Sequence, residues 1–158
     1  MTINIKGELI DLSKPKIMGI LNLTPDSFYD GGKYNKVESA LKQTDSMIEA
    51  GANFIDLGAY STKPGAKPVS VEAEKKRLLP VLEKLIKKYP KTHFSIDTFR
   101  STVAAEALDR GAAMINDISG GQFDNKMMDT VGNYNVPYVL MHTSGTVSYT
   151  HLTLPTKA

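Results

Sequence analysis

The chain has 158 residues, with 19 lysines and arginines against 17 acids and a formal charge of +2, which gives no strong electrostatic case for nucleic acid or an anionic membrane. It has no cysteine, which removes a disulfide framework, a thiolate metal site and a cysteine nucleophile, and its three histidines (His93, His142, His151) make a histidine-rich metal site unpromising. An apolar fraction of 41 % suffices for a core, no run approaches the roughly 20 apolar residues of a membrane span, and the N-terminus lacks an apolar signal region, so a soluble, cytoplasmic protein is expected.

Residues 3–12 alternate weakly around Lys6-Gly7 and predict a small hairpin. Five short, nearly continuous apolar runs follow, at 17–21, 53–57, 93–96, 113–115 and 138–141. Runs of this kind suit strands buried on both faces of a parallel sheet. Between them lie stripes at helical spacing. Val37, Ala40, Leu41, Thr44, Met47 and Ile48 make the first, and Leu78, Leu82, Leu85 and Ile86 the second. Ser70, followed by Glu72 and Glu74, reads as the start of that second helix, and Pro80 is expected to kink it or restart it. Val103, Ala104, Ala107 and Leu108 make a third stripe. Asp124 is expected to cap a fourth helix carrying Met127, Met128 and Val131. Residues 49–56 and 109–116 echo each other, each ending a helix at a glycine and starting a strand at once.

Each apolar run ends in a polar residue: Asn22, Asp56, Asp97, Asn116-Asp117 and His142. Strands that deliver polar side chains at their C-terminal ends are what a parallel α/β barrel does, whereas an open doubly wound sheet uses mainly its switch point. A barrel takes about 250 residues and eight units, so the fold is either a smaller open sheet or an incomplete barrel. Taken singly, a strand-end aspartate is often only a helix cap, Asn116-Asp117 an ordinary turn, and His142 an interior histidine. Two loops carry more specific chemistry. After Asn22 come Thr24, Asp26, Ser27, Phe28, Tyr29, Asp30, Gly31 and Gly32, a polar glycine-rich loop whose aromatics could close over a flat ligand and whose acids could help hold hydrated Mg²⁺. After Asp56 come Ser61, Thr62 and Lys63, bent by Pro64-Gly65, a group suited to an anion such as phosphate.

The motifs ILNLTPDSFYDGG, DLGAYSTKPGA, SIDTFR, INDISGG and LMH-x-x-G, in this order and spacing over residues 17–146, resemble the dihydropteroate synthases of folate biosynthesis. The resemblance implies a (β/α)8 TIM barrel, incomplete here with about five strand–helix units. It implies a transferase that joins 4-aminobenzoate to 6-hydroxymethyl-7,8-dihydropterin diphosphate, assisted by Mg²⁺, in a homodimeric family in which sulfonamides compete with aminobenzoate. By the same resemblance Asn22 holds Mg²⁺ and diphosphate, and Thr62, with Ser61 and Lys63 beside it, meets the phosphate. Asp97, Asn116 and Asp56 line the pterin pocket. Phe28 and Pro64 enclose the aminobenzoate, Asp30 belongs to the closed, metal-bound state, and Met141 lies at the substrate site.

Departures from the family pattern matter too. Lys63 stands where the family commonly has arginine, which keeps the charge and loses the fork. A second pterin carboxylate, a pterin lysine and a phosphate-binding Arg/His pair have no counterpart in the chain, so the chain alone is expected not to catalyse. The expected division is a barrel portion over 1–146 and a non-native tail over 147–158. There VSYTHLTLPTKA replaces the family's continuation and VSYTHL matches a translated sequencing adapter. Two other functions remain open. A pterin-binding methyltransferase domain serving a corrinoid protein would share the Asp/Asn pocket without needing either loop, and a non-catalytic pterin-binding remnant would differ only in turnover.

Overall fold

The computed structural model describes residues 1–24, 33–60 and 68–141, with no account of the side chains of 33–36. Strands β1 (Thr2–Ile5) and β2 (Glu8–Asp11) form the expected antiparallel hairpin. Its two turn residues, Lys6 and Gly7, have φ of 52° and 86°, the left-handed pair that a two-residue turn matched to strand twist requires.

Five parallel strands follow: β3 (Met18–Asn22), β4 (Phe54–Gly58), β5 (His93–Asp97), β6 (Met114–Asp117) and β7 (Tyr138–Leu140). The helices between them are α1 (Lys33–Glu49), α2 (Val71–Lys88), α3 (Ser101–Asp109) and α4 (Met127–Tyr134). Each strand pairs with the next in chain order, β3-β4-β5-β6-β7. Among the described strands there is no reversal of order and so no switch point. The order is that of a (β/α)8 barrel, not of a doubly wound sheet.

Alternation along the strands separates two faces. On one, Leu21, Ile55, Leu57, Phe94, Ile96 and Ile115 pack against the buried stripes of the helices in the main core. On the other, Phe54 and Met114 meet Ile5 of the hairpin, with Ile3, Ile10 and Met18 around them. The hairpin thus floors this inner face at the N-terminal end of the strands. The Lys6 amino group donates to the Gly111 carbonyl, and His93 Nε2 lies 3.1 Å from Glu8 Oε2, tying the floor to β5 and the turn before β6.

The structure narrows one local expectation and corrects another. Helix α2 runs through Pro80 without restarting. Pro80 is exposed while Leu78, Leu79, Val81 and Leu82 are buried, so the lost backbone bond faces water and packing carries the helix past it. Asp124 is not the N-cap of α4, which is Lys126, although its Oδ1 accepts from the Lys126 amide at 3.0 Å. Its Oδ2 accepts from the Ser101 amide at 2.7 Å and so serves the first turn of α3, whose own N-cap, Arg100, has no side-chain acceptor to offer. Ser70 does cap α2, its hydroxyl accepting from the Ala73 amide at 3.2 Å. The echoed glycines, Gly51 and Gly111, sit at φ of 95° and 102°, as a helix-ending glycine should.

Two glycines should respond oppositely to alanine. Gly120 has φ of +57° and an added Cβ would lie 2.5 Å from the Met141 carbonyl oxygen, so Gly120→Ala should cost about 1–3 kcal/mol. Gly132 lies inside α4 with nothing within 4 Å of its added Cβ, so Gly132→Ala should gain about 0.5–1 kcal/mol. Urea midpoints should move down and up respectively, and the same sign for both would contradict this backbone.

Candidate active site

In-register parallel pairing sets the site. Asn22 of β3 pairs with Gly58 of β4, Gly58 with Asp97 of β5, and Asp97 with Asn116 of β6, making one row across the C-terminal strand ends. Two residues earlier on the same face, Asp56 pairs with Ser95. A side chain at Gly58 would intrude on the row. Its Cβ would lie 3.2 Å from Asp97 Oδ2 and 3.6 Å from Asn22 Oδ1, so glycine leaves a hollow between the two.

The polar groups here are not saturated. Asn116 Nδ2 donates to Asp56 Oδ2 at 2.9 Å. Asp56 Oδ1, Ser95 Oγ and Asn116 Oδ1 are buried with no hydrogen-bond partner among the described residues. Each such group left unpaired costs about 1–3 kcal/mol, so their gathering at one strand-end row marks a place that a polar ligand or water completes. Burial raises the pKa of Asp56. The neighbouring Ser95 hydroxyl, outside full hydrogen-bond geometry, and the Asn116 amide pull it partly back. Asp97 is pushed further, to about 7, first by burial and then by the charges of Asp56, Glu74 and Asp117.

The turn after β5 is held from beneath. Glu74 of α2 is 1 % exposed. Its Oε1 accepts from the Thr98 hydroxyl at 2.7 Å and its Oε2 from Arg100 Nη1 at 2.6 Å. Arg100 Nη2 also donates to the Val69 carbonyl at 2.6 Å. The guanidinium carbon lies 5.2 Å from the ring centroids of both Tyr60 and Phe99. The Thr98 amide reaches the Asn116 carbonyl at 3.0 Å, so β5 and β6 stay paired past Asp97.

Asp117 has a different role from its neighbour Asn116. It is fully buried and points to the helix side, where it accepts from the Ser119 amide and hydroxyl, the Gly121 amide and the Tyr138 hydroxyl. It builds the turn after β6, as the plain turn reading of this segment held.

Of the sequence-derived site residues, Asp56, Asp97 and Asn116 converge, and Asn22 stands in the same row. Met141 follows β7, its amide 3.3 Å from the Asp117 carbonyl and the residue 43 % exposed, one strand beyond the cluster. Phe28, Asp30, Ser61, Thr62, Lys63, Pro64 and His142 lie outside the described residues, as does the 146/147 boundary. Sequence reading missed Ser95, although its place two residues before Asp97 on a strand already put it on the same face. It also missed Gly58, Glu74 and Arg100.

The family described as pterin binding enzyme matches residues 18–154. The chain belongs to that pterin-binding family. Dihydropteroate synthase of Staphylococcus haemolyticus is 50 % identical over 131 residues, covering 83 % of this chain and 48 % of that protein. The Bacillus subtilis synthase is 46 % identical over 139 residues, covering 88 % and 48 %. Among solved structures, 7,8-dihydropteroate synthase from Vibrio fischeri superposes with a TM-score of 0.80 at 41 % identity, over 92 % of this chain and 51 % of that one. The Xanthomonas albilineans synthase with 4-aminobenzoic acid gives 0.83 at 40 %, over 90 % and 52 %. The chain therefore spans about half the length of the curated relatives it matches. These synthases are TIM barrels, and the described residues of this chain supply five consecutive strands in barrel order. Among its described residues no helix is long and apolar enough to cross a membrane.

The raised pKa of Asp97 has a consequence for stability. Between the unfolded carboxylate value of 3.8 and about 7 the folded state binds the extra proton, so stability falls as pH rises through that window. Asp97→Asn should therefore stabilise the chain at pH 8, by at least about 1 kcal/mol, and do little at pH 4. Urea unfolding of both proteins at the two pH values checks it, and an equal effect at both would refute the assignment.

Proposed function

We propose that the chain is the pterin-binding portion of a dihydropteroate synthase, which condenses 6-hydroxymethyl-7,8-dihydropterin diphosphate with 4-aminobenzoate to give 7,8-dihydropteroate and diphosphate. The observation that carries this reading is the row of Asp97 and Asn116 above Asp56 and Ser95, with buried polar atoms left over. A pterin edge presents an amino group and a ring N–H side by side. An ionised Asp97 carboxylate accepts both, and an asparagine answers a donor and an acceptor together. Asn116, already fixed by its bond to Asp56, keeps its Oδ1 for the ligand. The apolar floor below excludes water from the far side of the cluster.

The reaction breaks the bond from the pterin methylene carbon to diphosphate and forms one to the aminobenzoate nitrogen. It needs positioning and stabilisation of a leaving anion more than a base. These 158 residues contribute no cysteine to that step. Ser61, Thr62 and Lys63 are assigned to the diphosphate, and Phe28, Pro64 and Met141 to the aminobenzoate side. Mg²⁺ belongs to this reading. Among the described residues no three His, Asp or Glu side chains gather into a metal cage. The hollow over Gly58, with Asn22 Oδ1 on its rim, fits an ion that keeps its waters and takes few protein ligands plus phosphate oxygens. Bound there, Mg²⁺ would supply charge neutralisation for the leaving diphosphate. Asn22 would hold it, with Asp30 assigned to the metal-bound state. The same reading makes the working enzyme a cytoplasmic homodimer acting on small molecules.

Titration with 6-hydroxymethyl-7,8-dihydropterin, followed by its fluorescence at pH 8, tests the proposal. Wild type should saturate, and Asp97→Ala should weaken binding at least tenfold, since it leaves the ligand's donors facing no acceptor. Wild-type affinity should also fall as pH drops below about 7, where Asp97 takes up its proton. No binding by wild type, or equal binding by Asp97→Ala, overturns the reading.

A further inference from the structure

We propose that Glu74 is a positioning residue for Asp97, fixing through Thr98 and Arg100 the turn from which the Asp97 carboxylate meets the pterin, and acting on that carboxylate with its own negative charge. The proposal rests on the pterin reading above, because it assigns a cause to the state of that site's main acceptor.

The geometry comes first. A buried carboxylate spends both oxygens on one short turn. Oε1 takes the hydroxyl of Thr98, the residue immediately after Asp97, and Oε2 takes Arg100, three residues after it. Thr98 Oγ1 in turn accepts from the Arg100 amide at 3.2 Å, closing the turn on itself. The Thr98 amide on the Asn116 carbonyl fixes the same turn against β6, which carries the other pterin residue. Arg100 is further fixed by the Val69 carbonyl and by the Tyr60 and Phe99 rings. Asp97 therefore leaves β5 on a segment whose next three residues are all tied down, and Glu74 is the group common to two of those ties.

The charges follow the same layout. Around Asp97 stand Asp56 from β4, Asp117 from β6 and Glu74 from α2, all acting to keep its proton on, with the Arg100 cation in the turn paired to Glu74. Asp56 and Asp117 have other duties, in the ligand row and in the turn after β6. Glu74 lies on the helix behind the sheet and has no place in the ligand row. Its two partners, Thr98 and Arg100, are both in the Asp97 turn. Adding or removing charge at this pair should move the Asp97 titration in a direction that mere loosening of the turn would not.

The test uses the full chain with ¹³C-labelled aspartate, reading the Asp97 carboxyl by NMR against pH, beside the pH profile of dihydropterin affinity. Glu74→Gln is nearly isosteric, can still accept from Thr98, and removes one negative charge. The Asp97 midpoint should fall by at least half a pH unit, and the pH profile of pterin affinity should move with it. Arg100→Gln leaves Glu74 uncompensated, so both midpoints should rise, and Arg100→Lys should restore them. Weakened binding in both variants with unmoved midpoints would make the network merely structural and overturn the proposal. An Asp97 midpoint that moves while the affinity profile stays put would overturn it as well. The carboxyl titration is read on the free chain, so a failure of dihydropterin to bind wild type is seen separately and counts against the function, not against the Glu74–Asp97 coupling.

Discussion

Unslipped parallel pairing is the constraint on which the rest depends. Because β3, β4, β5 and β6 pair in register, residues whose spacing in the chain is irregular arrive in one row at one end of the sheet. The period of two then sorts each strand into an inner and an outer side. A slip of one residue in β5 would exchange Ser95 and Asp97 for Phe94 and Ile96, burying the carboxylate among the helices and turning the core outward. Register is therefore held by the same apolar residues that form the core, and the site inherits its precision from packing it takes no part in.

That arrangement costs stability where the chemistry is. Buried atoms without partners and carboxylates crowded around Asp97, whose pKa they help to raise, are both unfavourable in the folded state. The offset lies elsewhere, in the fully buried outer face of β4 and β5 against α2 and α3, and in the hairpin floor beneath Phe54 and Met114. A protein that sits only modestly above its unfolding threshold can carry such a cluster only with a core of this kind behind it.

Much of this was legible from the chain. Strand runs, helix stripes, the Lys6-Gly7 turn and the helix-ending Gly51 and Gly111 follow from local rules of period and backbone conformation, and the polar residue closing each run located the strand ends. The choice between open sheet and barrel was legible only through the polar residue at each strand end and the family motifs, because the apolar runs are the same in both, and the pairing order settles it. Asp124 was half legible: one carboxylate oxygen accepts from the Lys126 amide at the entry to α4, while the other goes to Ser101, 23 residues back in the chain. Pro80 left a kink or a restart open, and the structure removes the restart, because on an exposed helix face water fills the lost bond and the helix runs on. Glu74 was readable only as an acid in a first helical turn, which is a favourable place for it regardless of what it touches.

The Glu74–Arg100 pair shows why such residues escape sequence reading and why they repay attention in a structure. A buried ion pair is a weak means of stabilisation, since desolvating both charges can consume what their attraction returns, and apolar residues of the same volume would often serve as well. Stability alone therefore does not account for a carboxylate that is 1 % exposed on the inner side of α2. What an apolar pair could not do is hold Thr98 by its hydroxyl, anchor a guanidinium to Glu74 and the Val69 carbonyl while leaving its face to Tyr60 and Phe99, and set a fixed negative charge behind Asp97. Those are requirements of direction and sign. They fall on the one turn that joins a strand carrying the site's main acceptor to the helix behind it, and a short charged hydrogen-bond network meets them where packing cannot.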